Sequence, residues 1–204
     1  PALEWEALPA SLRECGEIAA MRLSQALADA VLNASGRLVD QAGQALTPSE
    51  RETWLAAADM ARAMRIGLGD AFARCFQATY AEACRDGGRT LVADPDPEAV
   101  QDAGFDGRFR HFVAWDGLIK LNRCYAALLG NARLDPLYAP VGPRTIEGAL
   151  LAALRAQPGN EAGKRKLLEF VYQEFLGRVN LLYRDLTSFM IALGFVETSS
   201  LRSE

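Results

Sequence analysis

Apolar residues recur at three- and four-residue steps along most of this chain. Leu12, Cys15, Ala19, Leu23, Ala26, Ala30, Ala34 and Leu38 keep that rhythm, which places them on one face of a helix. Ser11 with Glu14 three residues on has the form of a capping box. The pattern therefore predicts a long first helix from Ser11 to about Gln44. Its contact face is rich in alanine, so a neighbouring helix can approach closely. Thr47-Pro48-Ser49-Glu50 predicts the next start: Thr47 can cap, Pro48 suits the first turn, and Glu50 can reach back to the Thr47 amide. Trp54, Leu55, Ala58, Ala61, Leu68, Phe72, Phe76 and Tyr80 carry this second helix to a stop at Asp86-Gly87-Gly88. Gly67 and Gly69 mark a kink or a close helix crossing. The short polar turn between the two helices favours an antiparallel hairpin.

The pattern changes at 86–107. A short extended run, Arg89-Thr90-Leu91-Val92-Ala93, leads into Asp94-Pro95-Asp96-Pro97, which forbids regular helix. Asp94, Asp96, Glu98, Asp102 and Asp106 make this excursion acidic. A third helix is expected from about Phe109 to Leu129, stopped by Gly130-Asn131. A proline-rich crossing over 131–143 follows. Pro143 then starts a short fourth helix with Ile146, Leu150, Ala153 and Leu154 inward, ended by Pro158-Gly159. The last helix, about 161–193, has the clearest repeat: Leu168, Val171, Phe175, Val179, Leu182, Leu186, Phe189 and Leu193. Near-heptad spacing predicts a shallow packing angle along a long partner. That partner is a neighbouring helix of the bundle or, alternatively, a second chain. Leu167, Phe170, Leu181 and Met190 widen the apolar face and favour burial. The expected fold is all-α: a single domain over 1–204, an antiparallel bundle of about five helices with an acidic, Pro-containing loop between helices two and three.

Composition adds bounds to this picture. Half of the 204 residues are hydrophobic, enough for a sizeable core. The net charge is −4, which argues against nucleic acid as the main partner, because phosphate binding needs a clustered positive surface. Cys15, Cys75, Cys84 and Cys124 form no CxxC pair and sit in apolar stretches, where thiols act as small hydrophobes in a reducing compartment. A single disulfide is the alternative. Residues 1–10 have no basic start and carry Glu4 and Glu6, unlike a secretory leader, and no apolar run is long enough for a membrane span. A cytoplasmic location is expected. The start at Pro1 fits removal of an initiator before proline or a segment cut from a longer protein.

Reactive constellations fail on named missing residues. His111 is the sole histidine, so any Cys-His or Ser-His pair would have to use it; near a helix start it reads as a surface or capping residue. No GxSxG elbow follows a strand. A bundle metal site needs repeated Glu-x-x-His, and position 108 is Arg. The Asp94-Asp96-Glu98 cluster lacks the ligand pattern of an EF-hand. Gly159-Asn160-Glu161-Ala162-Gly163-Lys164-Arg165 is similar to a phosphate loop but has one residue too few between the glycines and no Ser or Thr after Lys. No catalytic residue, cofactor or metal ligand is therefore assigned. Arg108, Arg110, Lys120, Arg123, Lys164, Arg165 and Lys166 form a basic surface only if the fold brings them together. Arg144 is expected to brace the proline-rich crossing. Arg178 with Asp185, and Glu174 with Arg178, stand at spacings for register-fixing pairs beside the seam.

Several stretches taken in order resemble a known family: Leu12-Arg13-Glu14-Cys15 through Arg22-Leu23, Ala61-Arg62-Ala63-Met64-Arg65 into Phe72-Ala73-Arg74-Cys75-Phe76, Asp135-Pro136-Leu137 with Gly142-Pro143, and Leu182-Tyr183-Arg184-Asp185-Leu186 leading to Gly194-Phe195. The order resembles the N-terminal region of a proteobacterial domain-of-unknown-function family. Its members are often mislabelled thymidine phosphorylase, and some are associated with PilZ-type cyclic-di-GMP receptor domains. The resemblance covers most of 12–196. This chain departs from it at Asn33-Ala34-Ser35-Gly36-Arg37-Leu38, where the family carries an acidic stretch, and at the Asp-Pro loop. It is also much shorter. The resemblance implies no catalytic residues, and the paired-Arg signature of PilZ is absent, so direct dinucleotide binding is not implied.

The expected function is a non-enzymatic helical module, regulatory in role, that binds another protein or self-associates as a homodimer. The alternative is a small-molecule or nucleotide-binding domain in cyclic-di-GMP-linked signalling, with Arg108, Arg110 or Arg144 lining a pocket. The residues marked for an interaction or ligand surface are Arg108, Arg110, His111, Trp115, Arg144, Tyr183 and Arg184.

Overall fold

A computed structural model describes residues 5–90 and 114–195. Five α-helices follow in order: α1 (Ala10–Gln44), α2 (Pro48–Cys84), α3 (Trp115–Leu129), α4 (Pro143–Arg155) and α5 (Glu161–Ala192). A 3-10 turn, Arg85–Gly87, closes α2. Among the described residues the only extended pairing is an isolated antiparallel bridge between Thr90 and Leu134. The chain is therefore all-α, as its periodicity predicts. Most of the acidic excursion, and the expected start of the third helix at Phe109, lie outside the described residues.

The caps show which local signals governed the ends. At α2, Glu50 N–H donates to Thr47 Oγ1 at 3.2 Å, while Glu50 Oε2 accepts from Leu46 N–H at 3.3 Å. The box thus closes one residue earlier than the Thr47 amide. At α1 the Ser11 box is not formed: Pro9 holds the N-cap position at φ −51°, no side chain caps, and the helix already runs from Ala10. The fixed proline dihedral sets that boundary, leaving Ser11 inside the first turn. Asn160 caps α5, its Oδ1 accepting from Gly163 N–H at 2.7 Å. Gly130 ends α3 with φ +66°. Asn131 N–H reaches the Ala126 carbonyl and Gly130 N–H the Ala127 carbonyl, the two bonds of a Schellman stop.

The two longest helices form the expected antiparallel hairpin, and α2 runs unbroken through Gly67 and Gly69. Gly69 marks the close crossing instead: a Cβ there would lie 3.4 Å from the Ser24 carbonyl of α1. On another side α1 lies antiparallel to α5 in constant register. Arg22 pairs with Asp185, Asn33 bonds Glu174, and the Arg37 guanidinium sits 4.8 Å from the Phe170 ring centre. Asp185 and Glu174 therefore reach across to α1 rather than pairing with Arg178 on their own helix. Interhelical partners of opposite or complementary polarity lie closer than the residue one or two turns away. Helix α4 packs antiparallel on α2, with Thr79 Oγ1 donating to the Thr145 carbonyl and Gln157 Nε2 to the Gly67 carbonyl. Helix α3 runs beside α5, joined by Ala114 N–H to Asn180 Oδ1 at 2.8 Å.

An aromatic column fills the core. Phe72 stacks on Phe76 at 5.8 Å and meets Phe175 edge-on, and Tyr80 follows Phe76 at 5.7 Å. The Tyr80 hydroxyl donates to the Leu12 carbonyl at 2.8 Å and lies 3.2 Å from the Tyr125 hydroxyl. This links α1, α2 and α3 through two fully buried phenols. The 131–143 crossing is also core: Leu134, Ala139 and Val141 are buried. Its backbone is held by side chains, with Asn122 donating to the Leu134 carbonyl, Thr145 to the Ala139 carbonyl, and Asp135 Oδ1 accepting from Leu137 N–H. Gly142 is required by space. A Cβ there would lie 2.6 Å from the carbonyl oxygens of both Pro136 and Leu137.

Candidate functional site

Helices α1 and α5 bury one face each against one another. Leu23, Ala26, Leu27 and Ala30 of α1 and Val179, Leu182 and Leu186 of α5 are all buried in the shared core. The alanines on α1 are short, so the flanking side chains do not close over the seam. The result is an open groove of about 630 Å³ lined chiefly by Met21, Arg22, Gln25 and Asp29 from α1 and by Arg178, Leu181 and Asp185 from α5. Two apolar side chains project into it: Met21 is 64% exposed and Leu181 43% exposed. The sequence pattern puts Leu181 on the widened buried face together with Leu167, Phe170 and Met190. Leu167 and Met190 are buried and Phe170 partly so, whereas Leu181 stands at the groove edge, one position outside the seam.

Charge is arranged in order around these apolar positions. At one end Arg22 pairs with Asp185, both half-exposed, and Asp185 also lies 3.6 Å from Arg184 Nε. At the other end Asp29 accepts a hydrogen bond from Gln25 Nε2 at 3.3 Å, and Arg178 lies across the groove. A surface pair such as Arg22–Asp185 contributes roughly 0–1 kcal/mol, so its value is in positioning charge at the rim. The arrangement has the elements of a docking surface: exposed apolar knobs, mixed-sign charge and a concave floor.

The residues marked from sequence fall in several places. Arg108, Arg110 and His111 lie outside the described residues. Trp115 opens α3 and is about one-third exposed. Arg144, at the start of α4, lies 5.7 Å from the Tyr138 ring centre, which also takes the Arg89 guanidinium at 3.9 Å. It braces the proline-rich crossing, as expected. Tyr183 is fully buried beside Gly117 and its hydroxyl has no hydrogen-bond partner; burial pushes that phenol far up. It is a core residue, not a surface one, because α3 packs over its side of α5. Arg184 is exposed and its Nε lies 3.6 Å from Asp185 of the groove. Trp115, Tyr183 and Arg184 lie where α3 packs on α5, with Tyr183 buried and Arg184 exposed.

The basic residues among those described do not converge. Lys120 and Arg123 lie on α3, which runs beside the C-terminal half of α5. Lys164 and Lys166 lie near the start of α5, about 30 Å away by helix rise. Lys166 Nζ sits 3.3 Å from the Trp54 ring centre, a cation–π contact. Lys164 is buried and pairs with Glu161 at 3.3 Å. The stretch similar to a phosphate loop is thus a capped helix start with its lysine folded back.

All four cysteines are free thiols, and Cys15, Cys84 and Cys124 are buried. Burial pushes the Cys15 thiol up to about 11 and the Cys84 thiol to about 12, and raises Cys124. Such thiols stay protonated and poorly nucleophilic near neutrality. Among the described residues no group of three or more His, Cys, Asp or Glu is placed to hold a metal ion, and no helix is long and apolar enough to cross a membrane. The sequence matches no family model, no curated protein and no solved structure. The functional reading rests on this chain's own geometry.

Proposed function

We propose that this chain is a non-enzymatic, cytoplasmic helical interaction module, regulatory in role, that docks a protein partner on the α1–α5 groove. The observation that carries this reading is the pair Met21 and Leu181. Both are large, apolar and exposed in one concave surface, and burying such side chains supplies about 1.5–3 kcal/mol each. The charged rim supplies orientation. A photo-crosslinking residue placed at 181 tests it, with one at exposed Ile66 on α2 as control. A discrete protein adduct from 181 and none from 66 is expected. No adduct from position 181 or from position 21 overturns the reading.

A second reading, a small-molecule or nucleotide site, draws on the groove's size, which falls in the range of ligand pockets, and on Arg22 and Arg178 in its lining. Calorimetric titration with cyclic dinucleotides and mononucleotides decides it. Heat of binding that disappears in R178A supports a ligand site; no heat at high ligand concentration removes it.

A further inference from the structure

We propose that the occupant of the α1–α5 groove is a second copy of this chain, related by a two-fold axis that crosses both helices near Gln25 and Leu181. The inference rests on the reading of the groove as a protein-docking surface and names the partner. It is carried by the order of charges. Along α1, Arg22 precedes Asp29 by seven residues, and along α5, Arg178 precedes Asp185 by the same interval. Seven residues are two helical turns, about 10.5 Å, so each pair lies on one face. Because α1 and α5 run antiparallel, with Arg22 against Asp185, the groove has one arginine and one aspartate at each end.

A two-fold axis perpendicular to the helices and lying in the interface reverses direction along them. It lays α1 on α1 and α5 on α5 of the copy, antiparallel. Arg22 then faces Asp29 of the copy, and Arg178 faces Asp185 of the copy. Each contact occurs twice by symmetry, as an isologous interface demands. Leu181 lies near the axis and meets its own equivalent, which buries the exposed apolar knob against an identical one. Arg178 makes no ion pair within the chain among the described residues, so the copy's Asp185 gives it a counter-charge. The face is large enough. Helices of 35 and 32 residues lying side by side present roughly 50 by 20 Å, above the ~800 Å² per partner of a stable interface.

Sedimentation equilibrium on the full chain tests this, with R178D, D185R and their equimolar mixture. Each single variant sets like charges opposite one another twice and is expected to weaken the dimer at least about tenfold. In the mixture, a copy of one variant against a copy of the other again sets an acid opposite a base at both contacts. Association is therefore expected to recover as a heterodimer. R22D with D29R supplies a second complementary set, and circular dichroism on every variant confirms the helical fold. A wild-type chain that stays monomeric overturns the proposal, while an adduct from position 181 to a different protein would still uphold the docking reading. A dimer indifferent to R178D, or a mixture that fails to recover in both sets, also overturns it.

Discussion

The aromatic column around Tyr80 and the groove around Leu181 both lean on α1, yet they are built to opposite ends. In the column Leu12 and Cys15 of α1 are buried with Phe76, Tyr80 and Tyr125, and both linked hydroxyls have partners. In the groove, scarcely two turns further along, the same helix presents Met21, Arg22 and Gln25 to solvent. The difference comes from what packs against each stretch. Four helices converge on the column, α1, α2, α3 and, through Phe175, α5, so every side chain is surrounded. Two helices meet at the groove, and the small alanines between them leave the flanking residues uncovered. Stability is therefore concentrated in the column, and recognition is available in the groove.

The sharpest way to break that contrast is Phe72→Ala. Removing a fully buried ring that touches Phe76 and Phe175 is expected to cost about 3–5 kcal/mol, read by urea denaturation. Tyr80→Phe keeps the ring and removes the donor to the Leu12 carbonyl. A loss of about 1–3 kcal/mol is expected, because the buried Tyr125 hydroxyl loses its partner and the Leu12 carbonyl keeps only its helical bond.

Alkali should act on the same region. Burial raises Tyr80 and Tyr125 well above the usual 10.0, and Cys15 and Cys84 above 9.0 to about 11 and 12. In the unfolded chain these groups lose protons from about pH 9, while the folded chain keeps them. The unfolded state then binds fewer protons, so stability is full below pH 9 and falls as pH rises through 9 to 12. Melting temperatures measured from pH 7 to 11 should show that decline. A flat profile would mean that the phenols and thiols are open to water in the folded chain.

Changes in the groove should leave the fold nearly untouched. Leu181→Ser is expected to shift stability by no more than about 0.5 kcal/mol while abolishing the photo-adduct recovered from position 21. Arg22→Ala is likewise expected to have a small effect on unfolding, about 0–1 kcal/mol, since its ion pair with Asp185 is half-exposed. If either cost as much as Tyr80→Phe, the groove would belong to the stabilising core and the contrast between the two regions would fail.

Much of the architecture is readable in the residue pattern. The α2 cap at Thr47, the αL stop at Gly130, the Pro143 start and the α5 repeat are local signals, each satisfied within a few residues. The groove is not local. Arg22, Asp29, Arg178 and Asp185 are ordinary solvent-face charges until the register of α1 on α5 sets them at two ends of one surface. Met21 carries one legible hint, because it falls off the Ala–Leu stripe of α1. Leu181 misleads, since a residue adjacent to an apolar seam is buried only if a third element covers it. Tyr183 misleads in the opposite sense: it looks polar in the chain and is enclosed by α3.

By itself the amino-acid order determined the helices, their approximate ends and the all-α class, because backbone hydrogen bonding and capping act over three or four residues. It also determined the alanine face that lets α1 be approached closely. Only the tertiary structure decided that the proline-rich crossing is core, that Asp185 answers Arg22 rather than Arg178, and that Leu181 faces solvent. Those outcomes depend on which helices are neighbours and in what register. That is set by the sum of many packing contacts between residues more than a hundred positions apart, which no short stretch of sequence contains.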